Sequence, residues 1–133
     1  MRNKGLIYEY DSMIYPVIVS VCIGCSNEEL SEHYEGDFDD MPTETLATVS
    51  WASRRSDDRC VVVVRVRNRR DLTMNTIVHE CGHVALEIYA YVHARINYDD
   101  QEPFCYLLGW IGEVVNKARV ESGKKKNKKI ENK

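Results

Sequence analysis

One segment constrains the fold more than any other, because it is apolar around most of its circumference and still carries ionisable residues. It runs from about residue 73 to about residue 94, with Thr73 or Asp71 as the predicted N-cap. Apolar residues recur there at helical spacings and also occupy much of the opposite face. The pattern predicts a central, well-buried helix against which the rest of one domain must pack.

Three segments before this helix are rich in β-branched residues and are predicted strands: residues 14–22, 45–52 and 59–67. The third has one wholly apolar face and one face that ends in Arg65 and Arg67, which is typical of a strand near a sheet edge. A short helix is expected at 28–34, before an acidic loop, and a second long helix from about 101 to about 121, where Gly123 ends it. The sequence therefore predicts an α+β fold in which a small, mostly antiparallel sheet of about three strands packs on two helices.

The charge is divided unevenly along the 133 residues. Residues 124–133 contain six Lys and one Glu, a balance of +5, so the total of −3 leaves −8 on residues 1–123. We interpret residues 1–123 as a single domain and residues 124–133 as a disordered, solvated tail. A nucleic-acid partner is not expected, because such proteins normally carry their basic surface on the folded domain.

Hydropathy and the number of cysteines indicate the cellular compartment in which the protein is expected. No apolar run approaches the ~18 residues of a membrane helix, and no signal peptide is recognisable. The five cysteines are an odd number, which argues against a disulfide framework. Cys22 and Cys25 have C-x-x-C spacing, and we interpret them as small residues at the end of a buried strand. These features favour a cytoplasmic protein without a membrane partner.

Residues 79–83 read His79-Glu80-Cys81-Gly82-His83, an H-E-x-x-H motif inside the predicted central helix. Residues four apart lie one turn along the same helix face, so the two histidines can bind one ion. Zn²⁺ accepts imidazole nitrogen at about 2.0–2.1 Å. Glu80 lies about 100° around the helix from His79, where it can reach a metal-bound water and act as a general base.

The setting of the motif favours a metal site over two core histidines. Two His and a Glu in an apolar helix are costly without a partner. Gly82 costs about 1 kcal/mol in a helix relative to Ala, which suggests that something packs closely against the backbone there. The motif therefore predicts a zinc site, although a His₂Glu set also accepts other divalent ions.

A catalytic zinc site needs a third protein ligand. His93 is about 15 Å from His83 if the helix is continuous, and His33 lies in the acidic region. Glu102 follows His83 by 19 residues and starts the next helix, so it is the best candidate, while Asp100 resembles a helix cap. A Glu in a first helical turn is also explained by the helix dipole alone.

The motif and the later run 101–110 (QEPFCYLLGW) resemble the small gluzincin-type zinc metallopeptidase domains of bacteriophages and mobile elements. The resemblance covers residues 59–120. It implies a zincin-like minimal domain with His79, His83 and Glu102 as zinc ligands and Glu80 as the base. It also implies that the strand 59–67 lies beside the cleft, where an extended peptide could pair with its edge.

The chain departs from that family's pattern at Tyr106, where thermolysin-like enzymes carry an Asp that orients a metal-bound His. Candidate hydrogen-bond donors to the oxyanion are Tyr106, Tyr98 and His93. The expected function is that of a zinc-dependent hydrolase, a metallopeptidase acting on peptides or proteins. Two alternatives stay open: a non-catalytic metal-binding module for a partner protein, such as a phage accessory factor, and a nucleic-acid-associated protein that acts through the Lys tail.

Overall fold

The computed structural model describes the backbone of residues 4–131 and the side chains of residues 4–124. The strands are β1 (Leu6–Asp11), β2 (Ile18–Ile23), β3 (Tyr34–Glu35), β4 (Ala47–Arg54) and β5 (Cys60–Val66). The helices are α1 (Asn27–His33), α2 (Met74–Tyr91) and α3 (Glu102–Glu131), and a 3-10 turn (Arg69–Asp71) precedes α2.

The five strands form one mixed sheet in the order β1-β2-β5-β4-β3. The central pair, β2 and β5, is parallel, and the other neighbours are antiparallel. The predicted sheet of about three mostly antiparallel strands is therefore wrong. Sequence patterning missed β1, whose aromatic residues alternate with acidic ones late in the strand, and β3, whose two residues are too few to show any periodicity.

The position of β5 is also corrected, because it is the middle strand and not one near an edge. Its Arg65 is buried, with 8% of its surface exposed. The guanidinium donates to the carbonyls of Asp39 and Cys25 and to Oδ1 of Asn27. A charged residue is accepted inside the fold because these oxygens replace water as hydrogen-bond partners.

The sheet is covered on both faces. α2 and α3 lie on one face and enclose the larger apolar cluster, whose central residues are Val19, Val21, Val62, Val64, Ile88 and Ile111. α1 and the chain after it cover the other face with Leu30 and Tyr34. α2 thus packs against β4, β5 and the neighbouring α3, and its remaining outer side presents polar groups. No helix within residues 4–131 is long and apolar enough to cross a membrane.

α3 continues beyond the end that was expected at about Glu121. Gly123 does not terminate the helix; a Cβ there would lie 2.5 Å from the guanidinium of Arg69, so the glycine makes room for that side chain. Arg69 in turn donates to the carbonyl of Arg119. The disorder predicted for residues 124–133 falls, apart from Lys124, outside the residues with described side chains and stays a prediction.

α2 ends at Tyr91, three residues before the predicted end. The N–H of Ala94 donates to the carbonyl of Tyr89 and that of His93 to the carbonyl of Ala90. This is the Schellman pattern, and it places His93 in the left-handed region with φ of 59°. His93 therefore serves as a backbone cap after the helix and is not part of it.

Replacing His93 by Gly should stabilise the protein. A non-glycine residue pays about 1 kcal/mol to adopt the left-handed conformation, and Gly does not. The free energy of unfolding, measured by urea denaturation, should rise by about 0.5–1 kcal/mol. Ala90→Gly, inside the last turn of α2, is the control and should lower it by a similar amount. A loss of stability in His93→Gly would show that the imidazole makes a contact that outweighs the backbone strain.

Candidate metal centre

The orientation of α2 decides where its motif points. Its buried residues include Ile77, Cys81, Val84, Ala85 and Ile88, which face the sheet and α3. The side chain of Thr73 accepts a hydrogen bond from the N–H of Thr76 and caps the start of the helix. With the apolar face fixed inward, both histidines of the motif are exposed to solvent.

The two histidines of the motif are brought together. Nε2 of His79 and Nε2 of His83 are 3.2 Å apart, and the rings meet edge to face at a centroid distance of 4.8 Å. Two nitrogens that bind one tetrahedral ion at 2.0–2.1 Å are separated by about 3.3 Å. The separation is compatible with one shared ion and also with a hydrogen bond between the two imidazoles, so the metal site stays a prediction.

Glu80 flanks this pair from a more enclosed position. Its Oε1 lies 4.0 Å from Nε2 of His79, and its side chain is 11% exposed, compared with 65% for that of His79. A carboxylate at this distance can accept a hydrogen bond from a water held between itself and the histidines. The predicted base is thus in position beside the predicted ligands.

The pair opens into a cavity of about 360 Å³ between α2 and β4. Its lining residues are Ala47, Thr48, Val49, His79, Glu80, His83 and Glu87. The strand beside the site is therefore β4, and the expectation that β5 lies at the cleft with a free edge is wrong, since β5 is paired on both sides. Among the residues with described side chains, neither Lys nor Arg lines this cavity, so its charged groups are two carboxylates.

The structure does not bring Glu102 to the pair. Among residues 4–124, whose side chains are described, no three His, Cys, Asp or Glu residues are grouped to hold one ion. Glu102 is the exposed first residue of α3, and Phe104 beside it packs on Tyr89 at a ring distance of 5.2 Å. Tyr89 follows His83 by six residues, or about 9 Å along α2. The assignment of Glu102 as third ligand stays a prediction.

The other candidates from the sequence lie elsewhere. His33 ends α1 and lines a separate cavity with Arg54 and Arg55. Tyr106 lines a cavity that it shares with Tyr15 but not with the histidine pair. The exposed Tyr98 and His93 belong to the connection between α2 and α3.

Sequence reasoning missed Glu87, which lines the same cavity as the histidine pair. Its Oε2 accepts a hydrogen bond of 2.9 Å from Nε1 of Trp51 on β4. The spacing in the sequence could have indicated it, because Glu87 follows His83 by four residues and so lies on the same helix face as His79 and His83. Gly82 carries a further correction: a Cβ there would meet nothing within 4 Å, so no group packs closely against it.

The cysteines offer no nucleophile at this site. Burial, together with the nearby charge of Glu80, raises the pKa of the Cys81 thiol to about 11. A hydrogen bond with Cys25, then burial, raises the pKa of Cys22 well above its usual value. Both residues of the C-x-x-C pair are buried at the end of β2, as interpreted from the sequence. A thiol with such a pKa stays protonated near neutral pH.

Comparison with protein-family models, with curated proteins and with solved structures finds no match for this chain. The resemblance to gluzincin-type domains accordingly rests on the motif residues themselves.

We expect one zinc ion to bind per chain through His79 and His83. Their Nε2 separation matches a shared tetrahedral ion, so loss of either imidazole should lower zinc affinity by at least about 100-fold. Isothermal titration with Zn²⁺ on His79→Ala and His83→Ala measures the effect. His33→Ala and His93→Ala are matched controls and should bind as the unchanged protein does. Equal affinity in all four variants would contradict the site.

Proposed function

We propose that this chain is a zinc-dependent metallopeptidase in which His79 and His83 hold the ion and Glu80 is the general base. One observation carries the proposal: the two Nε2 atoms lie 3.2 Å apart, and the Glu80 carboxylate lies 4.0 Å from one of them. Two imidazoles in a row with a flanking carboxylate supply two of the three protein ligands, and the base, that zinc-assisted hydrolysis uses.

A zinc ion bound there supplies a Lewis acid that polarises a carbonyl and lowers the pKa of water. Glu80 accepts the proton from the attacking water and returns it to the leaving amine. The side chain suits this role because the apolar side of α2 encloses it while its carboxylate faces the pair. His79 and His83 hold their relative orientation because they project from successive turns of one packed helix.

The adjoining strand supports a peptide as the substrate. The N–H of Arg67 bonds to the carbonyl of Leu46, and the N–H of Arg54 bonds to that of Arg59. Antiparallel pairing alternates, so the even-numbered residues of β4 bond to β5, while Ala47, Val49 and Trp51 direct their N–H and C=O groups away from it.

That outer edge of β4 is paired over a short length only. Within the described chain, β3 pairs with β4 at Ser53 and Arg54. The backbone groups of Ala47 and Val49 therefore face an unpaired edge, and these two residues also line the cavity of the histidine pair. An extended peptide can add to such an edge by main-chain hydrogen bonds, which would place its carbonyls beside the metal site.

The rival functions have less support. In a non-catalytic metal-binding module, Glu80 would have no reason to lie beside the pair with its carboxylate largely enclosed. A nucleic-acid partner would meet a cavity with two carboxylates. The five free cysteines suit a reducing compartment, and we propose that the enzyme acts in the cytoplasm.

Glu80→Gln should keep zinc bound and abolish hydrolysis. The amide has nearly the same shape but cannot accept the proton, and loss of a general base typically costs about 10²–10⁴-fold in rate. Hydrolysis of a quenched fluorescent peptide library, with zinc content measured on the same samples, tests this. Glu113→Gln on α3 removes an equal charge outside the cavity and should leave the rate unchanged. Undiminished hydrolysis in Glu80→Gln would exclude the mechanism.

The third ligand is proposed to be Glu102, from its position at the start of α3 and from the resemblance, and it can be tested against Glu87, which lines the cavity of the histidine pair. Glu102→Ala should weaken zinc binding by at least about tenfold, because the ion loses a charged oxygen ligand. Glu87→Ala and Asp100→Ala should have little effect on the affinity measured by competition with a chromogenic chelator. If Glu87→Ala lowers the affinity and Glu102→Ala does not, the ligand set is wrong.

A further inference from the structure

A second cavity lies beyond the histidine pair, between α2 and the strands β4 and β5. This cavity measures about 430 Å³ and is lined by Trp51, Cys60, Glu87, Ala90 and Tyr91. Glu87 lines both cavities, so the two lie next to each other along one side of α2. We refer to the second one as the Trp51 cavity.

Two aromatic rings form its apolar wall. The rings of Trp51 and Tyr91 lie 5.1 Å apart at an interplanar angle of 33°. Tyr91 is 47% exposed, which is unusual for a large aromatic residue at the end of a buried helix. The nearby Cys60 thiol raises the pKa of the Tyr91 hydroxyl. Exposed Trp and Tyr faces attract cations through the ring quadrupole.

One carboxylate lies at the mouth of the same cavity. Oε2 of Glu87 accepts the indole N–H of Trp51, which fixes the carboxylate beside the rings. Among residues 4–124, no Lys or Arg side chain forms an ion pair with Glu87 or lines the Trp51 cavity. The carboxylate therefore faces the groove with a negative charge that a bound cation can neutralise.

We propose that the Trp51 cavity is a specificity subsite that binds a Lys or Arg side chain of the peptide substrate. The aliphatic stem packs on the rings of Trp51 and Tyr91, and the charged end pairs with Glu87. This inference rests on the proposed peptidase function, because it takes the β4 edge as the path of the substrate. The net charge of −8 on residues 1–123 also favours the approach of basic peptides.

The length of the groove sets the position of that side chain. Tyr91 follows His83 by eight residues, or about 12 Å along α2. An extended peptide covers this length in three to four residues. Along β4, Val49 at the histidine cavity and Trp51 are two residues apart, so the basic residue lies two to four positions from the bond that is cleaved.

An apolar side chain is the competing occupant. It would fill the aromatic wall equally well, but it would also remove water from the Glu87 carboxylate without replacing the lost hydrogen bonds. The carboxylate thus selects a basic residue over a norleucine of nearly the same shape as the lysine stem.

The test measures peptide binding and does not depend on turnover. Blocked alanine-based octapeptides carry Lys, Arg or norleucine at one position, and each position is scanned in turn. Binding is followed by the fluorescence of Trp51 in Trp110→Phe protein, which leaves that indole as the reporter. Both the zinc-loaded and the metal-free protein are titrated. At the best position, the Lys and Arg peptides should bind at least about fivefold more tightly than the norleucine peptide.

Three variants test whether the Trp51 cavity causes the preference for Lys and Arg peptides. Glu87→Gln should bring the ratio of the Lys-peptide affinity to the norleucine-peptide affinity close to one. Glu113→Gln makes the same change of charge on α3 and should leave this ratio unchanged. Tyr91→Leu should weaken the Lys peptide more than the norleucine peptide. Equal or tighter binding of norleucine, or a ratio unchanged in Glu87→Gln, overturns the subsite. Failure of zinc binding or hydrolysis would overturn the proposed function and would leave these metal-free titrations interpretable.

Discussion

The rest of the structure depends on the burial of one face of α2 between the sheet and α3. Ile77, Val84 and Ile88 on that face are buried, and each such side chain contributes about 1.5–3 kcal/mol when removed from water. Because the apolar face is fixed inward, the row of His79, His83 and Glu87 is fixed outward. The two imidazole nitrogens lie 3.2 Å apart because His79 and His83 occupy successive turns of that outer face.

The same packing places β4 beside the row of His79, His83 and Glu87. The surface between α2 and β4 changes from polar at one end to aromatic at the other. One end carries the imidazoles and the enclosed carboxylate of Glu80, and the other carries the rings of Trp51 and Tyr91. Glu87 connects the two ends and is positioned by the Trp51 indole. A substrate that pairs with the β4 edge would meet the metal site and the subsite at a fixed spacing, so cleavage and selection would depend on one rigid pair of elements.

The sequence alone predicted the parts of this arrangement that depend on local pattern. The period of α2 and the spacing of its motif were sufficient to place His79, Glu80 and His83 together. The non-local features were not predictable: Arg65 looked like an edge residue, because the carbonyls that satisfy it come from distant segments. The end of α2 at His93 depends on a backbone conformation with no glycine signal. The location of Glu102 depends on how α3 docks, which periodicity does not encode.

The most direct measurement of the central claim is a crystal structure of the zinc-loaded protein, with anomalous differences recorded on both sides of the zinc edge. The account predicts one strong peak per chain, about 2.0–2.1 Å from Nε2 of His79 and Nε2 of His83, with a Glu102 oxygen in its coordination sphere. A peak elsewhere, or none at full zinc occupancy of the solution, would contradict it. A peak at the histidine pair with a different third residue would keep the metal site and refute the gluzincin ligand set.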